Sequence, residues 1–257
     1  MSNRTSTHDG VRRVVVDNLG SGSITVEPGT QPDGVECAID AADESFLKSV
    51  HVRQERDALR ISVPPPVFRA TDAHLRLGVP PGLEYVIKVG SAEVSVGTDI
   101  GRSRIVSGSG DIIVGRATDL DCSTGSGDIS VGSVAGSGAR LESGSGAVSV
   151  GEARCPVRAK SGSGDVTIAS VFQTEVQAKS GSGDIEITST SGSVDLRSAS
   201  GSLSIGVSDR LPAWLDLESV SGRLRIGLDS THPPAPGEAY VSVRARTASG
   251  DISIHRA

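Results

Sequence analysis

Ser161-Gly162-Ser163-Gly164-Asp165-Val166-Thr167-Ile168 decides how this chain folds, because the same phrase returns on both sides of it at a nearly fixed distance. Upstream it reads Ser143-Gly144-Ser145-Gly146-Ala147-Val148, Thr124-Gly125-Ser126-Gly127-Asp128-Ile129 and Ser107-Gly108-Ser109-Gly110-Asp111-Ile112. Downstream it reads Ser180-Gly181-Ser182-Gly183-Asp184-Ile185, with looser copies at Ser200-Gly201, Ser221-Gly222 and Ser249-Gly250-Asp251-Ile252. The five clear copies start 17, 19, 18 and 19 residues apart. A constant period of this size is the mark of a repeat architecture, in which each unit is one supersecondary element that buries its apolar face only by stacking on its neighbours.

One unit, Ala139 to Val157, shows how the repeat works. Ala139-Arg140-Leu141-Glu142 alternates small or apolar with charged residues, as a half-buried strand does. Ser143-Gly144-Ser145-Gly146 turns the chain, and glycine is expected there for a tight turn at positive φ. Val148-Ser149-Val150 is a second strand, and Gly151-Glu152-Ala153 turns again. Superposing the copies gives inward columns at Ile105, Cys122, Leu141, Ala159 and Ala178, at Ile112, Ile129, Val148, Val166 and Ile185, and at Ala117, Val134, Ala153 and Val171. Three columns per coil predict an all-β, single-stranded β-helix (β-solenoid) with ~18-residue coils and about three faces, stacked at about 4.8 Å per rung. A β-sandwich is the competing reading, but it has no reason to repeat one turn at one period.

Both ends leave the period. Residues 1–10 are expected to be a disordered N-terminus, 11–90 an atypical N-terminal capping β region and 91–257 the solenoid repeat domain. Within the cap, a short helix is expected over Ala41–Lys48, a hairpin turn at Arg56-Asp57 and a break at Pro64-Pro65-Pro66. His232-Pro233-Pro234-Ala235-Pro236-Gly237 reads as a surface loop, and the strands Val241–Arg246 and Asp251–His255 close the chain without an evident cover.

Composition narrows the function. Aromatics are only 2% of the 257 residues, so the core is aliphatic and sugar-stacking platforms are scarce. A net charge of −6 argues against a nucleic-acid partner, which needs a basic footprint. Cys37, Cys122 and Cys155 have neither disulfide nor zinc spacing. No signal segment or run of about 18 apolar residues is visible, so the expectation is a cytoplasmic protein without direct membrane insertion.

The serial Ser-Gly-Asp units from 107 to 187, together with Leu77-Gly78-Val79-Pro80-Pro81-Gly82 and Thr247-Ala248-Ser249-Gly250-Asp251-Ile252-Ser253-Ile254, resemble a bacterial family of unknown function described as putative adhesins with β-strand repeats. The resemblance covers roughly residues 11–257. It implies a β-helical fold and a surface or envelope-stress context, and it carries over no catalytic residues.

Candidate sites are few. Asp111, Asp128, Asp165, Asp184 and Asp251 form one column. A calcium β-roll is one reading; the other is that each aspartate starts a strand and accepts turn amides. Arg104, Arg140, Arg158 and Arg197 are placed in one outward column, with Lys160 and Lys179 beside it, as an anion-binding stripe or a solvated face. Trp214 completes the candidate interaction surface. No catalytic, cofactor or metal site is expected. The function expected is a non-enzymatic, adhesin-like scaffold that engages a protein partner or self-associates through the solenoid ends. The alternatives are a bactofilin-like polymer and a carbohydrate-active β-helix enzyme.

Overall fold

The structure is a computed structural model that describes residues 2–63, 72–209, 211–229 and 239–257. The loops expected at Pro64–Pro66 and His232–Gly237 lie outside the described residues. The chain divides into two compact units, Met1–Asp128 and Ile129–Ala257.

The first unit holds β1 (Ser2–Asp9), β2 (Arg13–Leu19), β3 (Ser21–Pro28), β4 (Gly34–Ala41), α1 (Glu44–Ser49), β5 (His51–Glu55), β6 (Ala58–Ser62), β7 (Asp72–Val79), β8 (Glu84–Val89), β9 (Glu93–Ile100), β10 (Ser103–Ser107), β11 (Ile112–Ala117) and β12 (Leu120–Thr124). One sheet runs β1-β4-β7-β3-β9-β11 and the other β12-β10-β8-β2-β6-β5. The coils begin at β2 and β3, earlier than the sequence period suggests. Val14 and Val16 lie in parallel register with Tyr85 and Ile87, and Ile24 and Val26 with Val94 and Val96. The segment β4–β7 leaves the stack and returns to it, its last two strands β6 and β7 forming a further rung in parallel register with β2 and β3. Its strands β4 and β5, and β1 before it, pair antiparallel with their neighbours.

Residues 2–9 are therefore not a disordered tail. As β1 they pair with β4 from Ser2↔Ala41 to Asp9↔Gly34, because the backbone groups of β4 need a partner on that side. The helix falls on Glu44–Ser49, where Asp43 Oδ1 accepts the Ser45 amide at 2.8 Å. The hairpin turn at Arg56-Asp57 joins β5 to β6, with Arg56 at φ 56°.

The second unit holds β13 (Ile129–Val134), β14 (Ala139–Ser143), β15 (Val148–Ala153), β16 (Val157–Ser161), β17 (Val166–Val171), β18 (Glu175–Ser180), β19 (Ile185–Thr190), β20 (Ser193–Ser198), β21 (Leu203–Val207), β22 (Ala213–Ser219), β23 (Leu224–Ile226), β24 (Val241–Thr247) and β25 (Ile252–Arg256). One sheet runs β13-β15-β17-β19-β21-β25-β23 and the other β22-β24-β20-β18-β16-β14, all parallel. Each coil thus alternates between two sheets, as a β-solenoid.

The three predicted inward columns are all buried, but they make two ladders rather than three faces. Val148, Val150 and Ala153 sit on the single strand β15, and the register with β17 skips Gly151. The bend there turns Ala153 inward without releasing the strand from its ladder.

The glycines of the repeat also act differently from expectation. Among the glycines of the described residues, only Gly10, Gly22 and Gly82 have positive φ. At Gly183 a Cβ would instead overlap the backbone carbonyl of Gly164 one rung away. Glycine is required because successive turns stack backbone on backbone.

The C-terminal order is the main surprise. From β21 the chain passes over one rung position, lays down β22 and β23, and then returns to fill the gap with β24 and β25. Ile252 and Ile254, expected on an open last coil, are sandwiched between Leu203 and Ile205 on one side and Leu224 and Ile226 on the other.

Candidate interaction surface

Most of the groups that could do chemistry are occupied in holding rungs together. In most repeats the first hydroxyl points inward and bonds twice, whereas Ser107 Oγ, in the first clear copy, is buried without a partner among the described residues. Ser180 Oγ accepts the Gly183 amide at 2.9 Å and donates to the Gly164 carbonyl at 3.0 Å. Ser161, Ser198, Ser219 and Thr247 make the same pair of bonds. The motif is written with Ser or Thr for this reason, which periodicity alone did not reveal. The aspartate column is also structural. Asp165 Oδ1 accepts the amide of Asp184 at 2.8 Å, and Asp184 Oδ1 accepts that of Ser202 at 2.7 Å. Among the described residues no cluster of three His, Cys, Asp or Glu side chains is disposed to hold a metal ion. Cys37, Cys122 and Cys155 are buried and outside any disulfide, and burial pushes the Cys37 thiol up to about 11. A groove of about 920 Å³ in the first unit is lined by Arg13, Asp33, Asp57 and Glu84, but Arg13 and Glu84 bond each other at 2.6 Å.

The basic residues fall into two outward columns, and Arg197 changes place. Arg104 faces Asp121 in the first unit. In the second, Arg140, Arg158, Gln177 and Asp195 are in register, whereas Arg197 aligns with Lys179 and Lys160. Gly201 stacks on Gly183 rather than on Gly181, so counting Ser200-Gly201 as the first Ser-Gly pair of its repeat misplaces Arg197 by two residues. The second column reads Glu142, Lys160, Lys179, Arg197, Arg246, Glu218, with acids at both ends. Lys160 Nζ reaches Glu142 Oε1 at 3.0 Å and Arg140 Nη2 reaches the same oxygen at 2.8 Å, and the Lys160 bond above all holds the Glu142 carboxyl below its ordinary range.

The unsatisfied surface is the outermost rung, β22 and β23. Among the described residues each pairs on one side only, β22 with β24 and β23 with β25. The inward columns continue into it but lose their second neighbour. Leu203, Ile205, Ile252 and Ile254 are at most 1% exposed, whereas Leu224 and Ile226 in the same columns are 48% and 53% exposed. Leu215 and Leu217, aligned with buried Val243 and Ala245, are half-buried. Trp214 and Val220 are exposed on the same rung, at 49% and 80%. Of the other exposed large apolar residues, Phe172 lies under the Arg154 guanidinium at 4.4 Å. Trp214 thus lies on the open rung, in the outward phase of β22 with Asp216, while the basic residues lie along the side of one sheet. No helix among the described residues is long and apolar enough to cross a membrane.

The coil geometry has known relatives. No curated protein matches the chain. Among solved structures, a "putative adhesin" from Parabacteroides merdae superposes with a TM-score of 0.56 at 11% identity, covering 100% of this chain and 95% of its own. A "putative adhesin" from Bacteroides fragilis gives 0.50 at 13% identity, with coverage of 98% and 97%. A "putative lipid binding protein" from Parabacteroides distasonis gives 0.50 at 12% identity, with coverage of 99% and 96%. These likenesses concern the fold. The repeats themselves match a family model over residues 83–256, and the chain belongs to the Toastrack DUF4097 family.

Proposed function

We propose that the protein is a non-enzymatic β-solenoid scaffold that engages protein through its open rung, β22 and β23. The observation that carries this reading is the abrupt change along two inward columns, from sealed at Ile205 and Ile254 to half-exposed at Ile226. An exposed apolar strand pair with free edges is a template for added strands. Most serines of the first column and the aspartates Asp165 and Asp184, by contrast, bond backbone groups and serve the rod. The structural neighbours named as adhesins are consistent with a binding role. Surface labelling tests the reading: hydroxyl-radical footprinting of the dilute protein should modify Leu224, Ile226 and Trp214 and spare Ile205 and Ile254. Protection of Leu224 and Ile226 at the lowest concentration would contradict it, as would turnover in a screen of acidic and neutral glycans.

A second reading rests on the uninterrupted run Lys160, Lys179, Arg197 and Arg246, one cation per rung. Such a ladder matches a linear polyanion. Salt-sensitive retention on a polyanionic matrix, weakened by Lys179→Glu, would support it.

A further inference from the structure

We propose that the occupant of the open rung is a second copy of this chain, docked about a two-fold axis that sets β22 of one copy against β23 of the other. The inference rests on the reading of β22 and β23 as the interaction surface and adds the partner and its arrangement.

The chain reverses between the two strands at Ser219 and Gly222, where the Gly222 amide bonds Ser219 Oγ at 2.9 Å. Counting outward from that pair, Leu217 stands at the height of Leu224 and Leu215 at that of Ile226. On the outer faces Glu218 matches Arg223, and Asp216 matches Arg225. The rung is therefore divided by charge: the outward side chains of β22 are acidic at Asp216 and Glu218, and those beside β23 are basic at Arg223 and Arg225. Within the chain Asp216 pairs with Arg244 and Arg246, Glu218 with Arg246 and Arg225 with Asp251, all on solvent-exposed faces that a second copy would share.

β22 and β23 run in opposite directions within one coil. A two-fold axis parallel to the strands places β22 antiparallel to the partner copy's β23 and preserves height. Leu217 then meets Leu224 of the second copy, Leu215 meets Ile226, Glu218 meets Arg223 and Asp216 meets Arg225. Every contact occurs twice, as an isologous interface requires. Rotation about an axis perpendicular to the sheets would instead pair β22 with β22 and set Asp216 against Asp216, a like-charge contact that disfavours it.

The same surface does not build a filament. At the end of the first unit away from β11 and β12, the outermost strands are β1, with no apolar residue between Ser2 and Asp9, and β5, whose one apolar residue is Val52. Both pair antiparallel with the strand behind them. Neither offers the apolar, parallel-stacked edge to which β22 and β23 could add, so the association closes at two.

Sedimentation velocity on the full chain from about 1 to 200 µM tests this, with charge variants at the two most exposed partners. Wild type should pass from monomer to dimer and stop there. Leu224→Lys with Ile226→Lys should leave a folded monomer, judged by circular dichroism. Glu218→Lys and Arg223→Glu should each raise the dissociation constant about tenfold, since two like-charge contacts replace two attractive ones. The double variant should return to the wild-type value. A dimer lost with the lysines but insensitive to charge reversal would overturn the arrangement. Dimers or filaments that ignore the lysines would overturn both the arrangement and the open-rung reading. A wild type monomeric at every concentration would overturn self-association, and footprinting of that monomer separates the two failures. Labelling at Leu224 and Ile226 would leave the rung open to a different partner, whereas protection there would mean the chain covers it itself.

Discussion

The rung formed by β20 and β21 and the rung formed by β22 and β23 are made from the same columns of residues, and they differ in what lies beyond them. Leu196, Leu203 and Ile205 have a rung on each side and are sealed. Leu215, Leu217, Leu224 and Ile226 have a rung on one side and stay partly open. The comparison teaches that in a solenoid inwardness is not a property of the strand. It is conferred by the next coil, and a sequence that keeps the inward pattern to its outermost rung leaves apolar surface for something to cover.

The sharpest contrast should come from glycine. Gly183→Ala forces a Cβ into the Gly164 carbonyl, so urea unfolding should show a loss of about 3 kcal/mol or more, or no folded protein. Gly227→Ala, beside the outer rung, meets the Ile254 carbonyl at an ordinary 3.4 Å and should be close to neutral. Next, Ile205→Ala removes a sealed side chain and should cost about 2–5 kcal/mol, whereas Ile226→Ala should cost about 1 kcal/mol or less in the monomer. Equal losses at the two positions would mean that the outer rung is covered.

Ser180→Ala strips two bonds from buried backbone groups and should cost about 1–3 kcal/mol; Ser182→Ala, exposed in the same turn, should lie within about 0.5 kcal/mol of wild type. The aspartate column should not respond to calcium. Because Asp165 and Asp184 already accept backbone amides, chelation should leave the melting temperature unchanged within about 1 °C. The smallest effect is at the side of the sheet. The Glu142 carboxyl is held below its ordinary 4.5 by Lys160 and Arg140, so its contribution is present above that pH and fades as the pH falls through the lowered folded-state value. Glu142→Gln should lose less than about 1 kcal/mol at pH 7, with the difference from wild type vanishing in acid, read from paired denaturation curves.

Much of the stack was legible because its constraint is local. Turns that stack backbone on backbone demand glycine, and the coils between Ser107 and Ile187 keep one phrase. The first coil was not recognised, although Gly20-Ser21-Gly22-Ser23-Ile24 is the same phrase. Leu19 stands where the bridging hydroxyl belongs, and the β4–β7 segment places its next-rung partner Val94 seventy residues after Ile24. The order of the last rungs was not legible at all. Ser221-Gly222 and Ser249-Gly250 fit either position, since both need only a glycine facing another turn, and chain order suggested the wrong one. The candidate surface moved with it, from Ile252 and Ile254 to Leu224 and Ile226. Trp214, placed by sequence in the candidate interaction surface, is exposed on β22 of the same rung.

Amide hydrogen exchange followed by mass spectrometry, at protein concentrations spanning the proposed association, is the most direct test of the central claim that the outer rung is the working surface. The account predicts that peptides spanning 213–226 exchange readily in dilute protein and become protected as concentration rises, while those of β16–β21 stay protected throughout and those of β1 and β5 do not change. Protection of 213–226 that is already complete in dilute protein, or a concentration-dependent gain at β1 or β5 instead, would contradict it.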